Sequence, residues 1–442
     1  MQVEAYAEVQ RVIDTVSKAA KIDLEAVESA LRTAALSAGA AICTELLKGT
    51  GKGRRSEQII CRCGRIMRST GVERKVLTTI LGPVPFDRSR FECPQCGETR
   101  YPGDEDLDIV GTTRSPGVRR MMARAGSRQP FKEAKEDLRV YAGIEVSPKD
   151  VERVSERIGE MIEAWQRTEH EALLTAAIPI NNEKTIPVLY IEMDGTGVPM
   201  VHSEVEGRKG KQPDGTARTR EVKLGCVFTQ TSTDEKGFPV REPDSSSFIG
   251  AIETVDSFSS RIEAEAVRRG LYEAQKVVVL GDGAVWIRQL VEMYFPMATQ
   301  IVDLYHAREH VSNLCKLIFA ADENKIIHHR IRWWYDLDKG MVEKIINEAR
   351  IRLPVDAANR KKAEAEIRYP DDNKERMRYA EFRQQGFFIG SGVVEAGCKH
   401  IIGSRLKQSG MEWTVRGANA IIALRCLLQS GRLEEFWESR AA

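Results

Sequence analysis

Apolar and polar positions change period several times along the chain. Residues 1 to about 50 follow helical spacing, with Val9, Val12, Ile13 and Val16 and then Leu24, Val27 and Leu31 recurring on one face. This predicts a helix pair that docks, dimerises or merely caps. A Gly- and Arg-rich linker, KGTGKGRRSEQ (48–58), follows. Strand-like alternation then appears at Val76, Leu77, Ile80 and Phe91. Helical spacing returns in FKEAKEDLRVYAGIEVSPKDVERVSERIGEMI: a helix, a turn at Gly143, and a second helix opened by Ser147-Pro148 as N-cap and first position. From Pro187 to Asp303 strands alternate with helices. The strands are LYIEMD, EVKLGCVFTQTS, KVVVLGD and ATQIVD, and the helices are SRIEAEAVRRGLYEA and AVWIRQLVEMY. Residues 307–388 are charged and helical, two helices close the chain, and the tail beyond Gly431 reads as a frayed helix.

Antiparallel strands followed by helix, strand, helix and strand predict an α/β fold with an RNase H-like core. A doubly wound nucleotide-binding fold would need a GxGxxG loop after the first strand, and none is there. No apolar run of about 18 residues that could span a membrane is expected. The start, MQVEAYAEVQRVIDTV, lacks the basic-then-apolar layout of a signal peptide, so a cytoplasmic location with reduced thiols is expected. Lys plus Arg (66) and Asp plus Glu (65) nearly cancel, so net charge argues neither for nor against nucleic acid.

Nine cysteines include two close pairs, Cys61 with Cys63 and Cys93 with Cys96, in CRCG and CPQCG. In a reducing compartment two such knuckles, each finished by a glycine, predict a structural Zn²⁺ held by four thiolates in a zinc ribbon. The CxC spacing of the first knuckle departs from the commoner CxxC.

Three acids stand at breaks next to glycine. Asp194 ends the strand-like run 186–193 in Asp-Gly-Thr-Gly, a cluster expected to turn the chain at once. Asp282 ends KVVVLGDG, and Glu395 follows Gly390-Ser391-Gly392 at the opening of a helix. Hard oxygen ligands so placed suit two Mg²⁺ (or Mn²⁺) ions in phosphoryl transfer. On pattern alone, nuclease, transposase and inactive relic stand level. Asp303 is a rival third acid. His306 and His310, four apart on one helix face, suit a structural or DNA-contacting pair, because no HExxH is present. Basic positions offer DNA contacts: Arg119, Arg120 and Arg124 in an acid-free stretch, and Lys149 and Arg153 on the second helix of a helix-turn-helix outline. Asp150, Glu152, Glu156 and Glu160 on that helix favour an ordinary helical hairpin instead. Arg330, Arg332, Trp333 and Trp334 beside His328 and His329 could grip phosphates and stack on a base, although aromatics at helical spacing are more often core. Lys399, Arg405 and Lys407, which follow the last acid, are further candidate DNA contacts.

DGTGVPM, LGDGAVWI, DLYHAREHV and GSGVVEAGCKHIIGSRLKQSGMEW, in this order over roughly 185–430, resemble the transposases of Kra-type bacterial insertion sequences, relatives of the Mutator-like superfamily. The resemblance implies a DDE triad at Asp194, Asp282 and Glu395, and places a D/C-x-x-H element on Asp303 and His306. It also implies a helical insertion before the last acid. The expected organisation is a helical segment at 1–55, a zinc-ribbon module at 56–104, and a helix-turn-helix-like domain at 105–175. A catalytic core at 183–306 is followed by the insertion at 307–388 and C-terminal core helices at 389–442. The implied activity is Mg²⁺-dependent cleavage at terminal inverted repeats and joining of 3′-hydroxyl ends to target DNA by a dimer or larger assembly at the bacterial nucleoid. A structure-selective nuclease and a non-catalytic DNA-binding regulator are the alternatives.

Overall fold

The computed structural model of the chain describes residues 10, 14, 23–51, 53–55, 58–175, 186–210, 212–320 and 322–440. It divides into two compact units, Met1–Ser155 and Glu156–Ala442. Val9, Val12, Ile13 and Val16 lie outside the described residues.

The first unit begins with the helix Leu24–Gly49, opened by Asp23, whose carboxylate accepts from Ala26 N. Glycine at position 39 lets this helix lie close to Leu81, since a Cβ there would stand 3.3 Å from the leucine side chain. Leu47, nearer its end, joins Leu77, Phe86, Ile109 and Leu107 in a small apolar cluster. Among the described residues this is the one helix long and apolar enough to cross a membrane by length and composition. This corrects the expectation that the chain has no apolar run of that length; Arg32 and Glu45 break up its apolar pattern in the sequence.

The helix is followed by an antiparallel sheet in the order β1 (Ile59–Ile60), β2 (Ile66–Thr79), β3 (Gly82–Glu92) and β4 (Thr99–Arg100). The long β2–β3 hairpin buries a charge cluster: Lys75 Nζ donates to Asp104 Oδ2 at 2.9 Å and to Ile109 O at 2.8 Å, and Arg88 also reaches Asp104.

Next come the helices Pro116–Arg128 and Phe131–Asp137, the second extended by a wider turn, Leu138–Ala142. Gly143 takes the left-handed conformation (φ 66°) that the turn requires. Ser147 then caps the helix Pro148–Leu174, accepting from Asp150 N at 3.0 Å. Val118, Met122, Ala134, Leu138, Ile144, Val146 and Val151 form the small core of this three-helix arrangement.

The second unit is built on a six-stranded sheet. Its strands are β5 (Ile186–Pro199), β6 (Thr219–Thr233), β7 (Pro239–Arg241), β8 (Ser247–Ala251), β9 (Ala274–Gly281) and β10 (Thr299–Val302). The order is β10-β9-β5-β6-β7, with β8 also paired to β6. β5, β9 and β10 run parallel, and β6 is antiparallel to β5. The helices Val255–Arg268 and Val285–Tyr294 cover one face, where Phe258, Ile262, Leu290 and Val291 meet Leu189, Ile191, Met193 and Val279. These alternate residues of β5 point one way, while Tyr190 and Glu192 point the other.

Two expectations are corrected. Asp194-Gly-Thr-Gly does not turn the chain, because β5 continues through it to Pro199, paired as Gly195↔Lys223 and Gly197↔Glu221. The glycines serve close approach. A Cβ on Gly195 would lie 2.8 Å from Glu221 Oε1, and one on Gly197 3.0 Å from Thr219 Oγ1. The tail is not frayed either: the helix Leu433–Ser439 buries Leu433 and Phe436, and Phe436 packs edge-on against Trp165.

Helices fill the stretch between β10 and the last core segment: Leu304–Ile318, Glu323–Asp338, Val342–Ile351, Ala357–Asn373 and Tyr379–Gln384. The short helix Gly392–Gly397, a wide turn Cys398–Gly403 and the helix Val415–Gln429 then close the unit.

Candidate active site

Three parallel strands deliver acids to one edge of the sheet. The β5–β9 pairing ends at Glu192↔Leu280 and the β9–β10 pairing at Gly281↔Val302. Asp194, just past the last β5–β9 pair, and Asp282 and Asp303, which follow β9 and β10, therefore lie along one edge, the side on which open α/β sheets place ligands. Asp194 is half-buried, and its Oδ1 accepts from Gly195 N at 2.7 Å. Burial raises its pKa above the ordinary carboxylate value, and the charge of Asp282 adds to the rise. A hydrogen bond from the Cys398 thiol, Gly195 N–H and the nearby His306 work against it. Asp282 Oδ1 accepts from Ala284 N at 2.9 Å.

Glu395 reaches this edge because the segment before its helix is stitched to the sheet. Gln230 Nε2 donates to Gly386 O, Phe388 N to the Tyr190 hydroxyl, and Leu304 N to Ile389 O. Ser391 then donates through both N–H (2.6 Å) and Oγ (3.1 Å) to Asp303 Oδ2. The Ser391 hydroxyl also lies 3.3 Å from Glu395 Oε1.

Asp303 is fully buried, and its other oxygen caps the helix Leu304–Ile318 by accepting from His306 N at 2.7 Å. With both oxygens engaged by donors of the chain itself, Asp303 ties β10 to the Glu395 segment. His306 and His310 pack edge to face, and His310 Nδ1 lies 2.6 Å from Glu366 Oε2.

One acid escaped sequence reasoning. Glu192, two residues before Asp194, is completely buried, and its Oε2 accepts from Val394 N at 2.8 Å. Oε1 has no hydrogen-bond partner among the described residues. Burial pushes its pKa up to about 8, with the charges of Asp303 and Glu395 adding to the rise. The only signal available in the sequence was its period-2 spacing from Asp194 within an otherwise apolar strand.

Several basic and aromatic candidates are placed differently from expectation. Trp333 is fully buried and donates its indole N–H to Glu348, so it is core and not a stacking platform. Trp334 is half-buried and donates to Arg308 O, with Arg330 over its ring at 5.4 Å. Arg332 pairs with Glu348. Arg405 is buried over the Trp413 ring and therefore does not present a phosphate contact. Lys399 and Lys407 are exposed, and Lys407 donates to the Thr196 hydroxyl, two residues beyond Asp194. In the first unit Arg120, Arg124 and Arg153 are exposed, Arg119 pairs with Asp108, and Lys149 pairs with Glu152.

The four predicted cysteines do converge. Their sulfurs all lie within 4.8 Å of one another, with Cys61–Cys96 at 3.4 Å and Cys63–Cys93 at 3.5 Å. Four sulfurs about 2.3 Å from one tetrahedral ion would be roughly 3.8 Å apart, so the set fits Zn²⁺. Gly64 and Gly97, both at positive φ, close the knuckles by donating to Cys61 O and Cys93 O. Among the described residues this is the one group of three or more such side chains gathered so tightly. The triad carboxylates are more widely spread.

Residues 257–439 match the model of a family described as "Uncharacterised protein family (UPF0236)". A UPF0236 protein of Caldanaerobacter subterraneus subsp. tengcongensis is 22% identical over 371 residues, 81% of this chain and 68% of the relative. Another, named for its place in the vanSb 3′ region of Streptococcus gallolyticus, is 22% identical over 83% of this chain and 75% of its own length. Among solved structures, the Drosophila P element transposase strand transfer complex is similar at 12% identity and a TM-score of 0.26, covering 77% of this chain and 85% of that one.

Proposed function

We propose that the chain is a DDE transposase of a Kra-type bacterial insertion sequence, with an RNase H-like core. The carrying observation is that Asp194, just past the last β5–β9 pair, and Asp282, which follows β9, share one edge of the sheet with the segment bearing Glu395, 113 positions after Asp282. The sheet order supports the reading: a central first strand, an antiparallel arm on one side and two parallel strands on the other. Gene dosage adds to it. The name of the Caldanaerobacter relative joins eleven loci of one genome, the dispersal expected of an element that reinserts itself.

Asp194, Asp282 and Glu395 offer hard oxygen donors of the kind a divalent cation takes. Mg²⁺ held there would supply Lewis acidity toward phosphate oxygens. The chain itself aligns the scissile phosphate against these acids. In the first step a water oxygen bonds to phosphorus and the bond to the 3′-oxygen breaks, freeing a 3′-hydroxyl. In the second, that hydroxyl bonds to a target phosphorus and the target's own 3′-oxygen leaves. Exposed Lys399 and Lys407 flank the acids and would meet the DNA backbone. The zinc-ribbon-like and three-helix modules, with Arg120, Arg124 and Arg153, would recognise the element's ends. Two ends held together call for a dimer or larger.

The test is cleavage and joining on labelled DNA carrying the sequences that flank the gene, with Mg²⁺. Asp194→Ala, Asp282→Ala and Glu395→Ala should each abolish both steps while DNA binding persists. Cutting without joining would make the protein a nuclease, and binding without cutting a regulator.

A further inference from the structure

The insertion reaches back to the acid from which it separates Glu395. Tyr369, in the helix Ala357–Asn373, donates its hydroxyl to the main-chain oxygen of Asp282 at 2.6 Å. Room for that contact comes from the next residue. Gly283 sits at φ 81°, and a Cβ there would lie 2.9 Å from the phenolic oxygen. The Tyr369 ring is oriented by stacking on His310, with centroids 3.7 Å apart and planes 17° from parallel. His310 is itself held by Glu366, one turn before Tyr369 on the same helix, through the 2.6 Å contact at Nδ1.

The geometry points to Tyr369 as a positioning residue for Asp282: the chain Glu366–His310–Tyr369 lets the insertion set the aspartate loop for divalent-cation binding. This rests on the reading of Asp194 and Asp282 as cation ligands. The loop is fixed at two points, by Ala284 N on the carboxylate and by Tyr369 on the carbonyl. Loss of the second point frees the peptide that carries the ligand. A residue that merely packed would do as well as phenylalanine, and the hydroxyl separates the two roles.

Mn²⁺ is titrated into the full chain, its cysteines loaded with Zn²⁺, and free Mn²⁺ is read by electron paramagnetic resonance. An Asp194→Ala/Asp282→Ala double variant identifies the sites that depend on these acids. Tyr369→Phe keeps the ring and its stacking. It should weaken those sites about tenfold, the usual effect of losing a partner that orients a ligand, with unfolding temperature and DNA affinity unchanged. His310→Leu, which removes the support under the ring, should weaken them too. Wild-type Mn²⁺ affinity in Tyr369→Phe overturns the proposal and leaves the reading of the acids intact. Wild-type Mn²⁺ binding in the double variant overturns that reading, and this proposal with it.

Discussion

Asp303 and Ser391, 88 positions apart, meet in two hydrogen bonds that close the base of the helical insertion. One carboxylate oxygen receives both bonds, and the other caps the helix that starts the insertion. Asp303→Ala should therefore lower stability by about 3 kcal/mol, combining a lost cap with a stranded buried N–H. Ser391→Ala, which loses only the hydroxyl, should lower it by about 1 kcal/mol. Urea denaturation measures both. Wild-type stability in Asp303→Ala would show that these bonds do not hold the base of the insertion.

Glu192 gives a second contrast. Glutamine keeps an oxygen acceptor for Val394 N–H and introduces no charge, whereas alanine removes the acceptor and leaves a void. Glu192→Gln should stay close to wild type at pH 7, and Glu192→Ala should lose roughly 3 kcal/mol. Equal losses in the two variants would show that the residue is held as a charged group.

The cysteine cluster predicts one Zn²⁺ per chain by metal analysis. Chelation, or Cys93→Ser, should unfold the β1–β4 sheet, because thiolate ligation contributes folding free energy directly in such modules. The readout is accelerated proteolysis between residues 58 and 101, with the second unit still folded. Stoichiometric zinc that survives Cys93→Ser would place the ion elsewhere.

His170 supplies the pH dependence. It is buried, and its Nε2 has no hydrogen-bond partner among the described residues. Burial lowers its pKa from 6.5 to about 4; Glu265 works against this, while Arg261, Arg268 and Arg432 add to it. The unfolded chain thus binds the proton more readily than the folded one. Stability from this group is complete above pH 6.5, falls as the pH drops toward about 4, and changes no further below that. The total loss is about 3 kcal/mol. Denaturation at pH 7.5 and 4.5 should show it in wild type and show less in His170→Leu. Equal slopes in the two proteins would discount the histidine.

Much of the candidate site was legible because its signals are local. An apolar run reaching Asp-Gly marks an acid at the edge of the sheet, and two cysteine pairs beside glycines mark a metal knuckle. What escaped depends on tertiary contacts. Glu192 looks like any charged residue until β9 and the Glu395 helix bury it. Tyr369 sits in a polar helix with no local hint of Asp282. The burial of Trp333 agrees with the core reading of aromatics at helical spacing, whereas that of Arg405 rests on Trp413, a contact that its own stretch does not announce. Gly195 and Gly197 were misread because glycine serves both turns and close strand packing, and only the partner strand distinguishes them.

That continuation of β5 bears on how Asp194 moves. The acid is an inner rung of the β5–β6 ladder, with paired residues from Val188 on one side and to Pro199 on the other. Ladders open from their ends, so an inner rung is released only by large openings. Amide hydrogen exchange at Asp194 should accordingly be among the slowest in the second unit. Whatever rearranges at this edge must come to this aspartate, which is as permanent as the sheet itself.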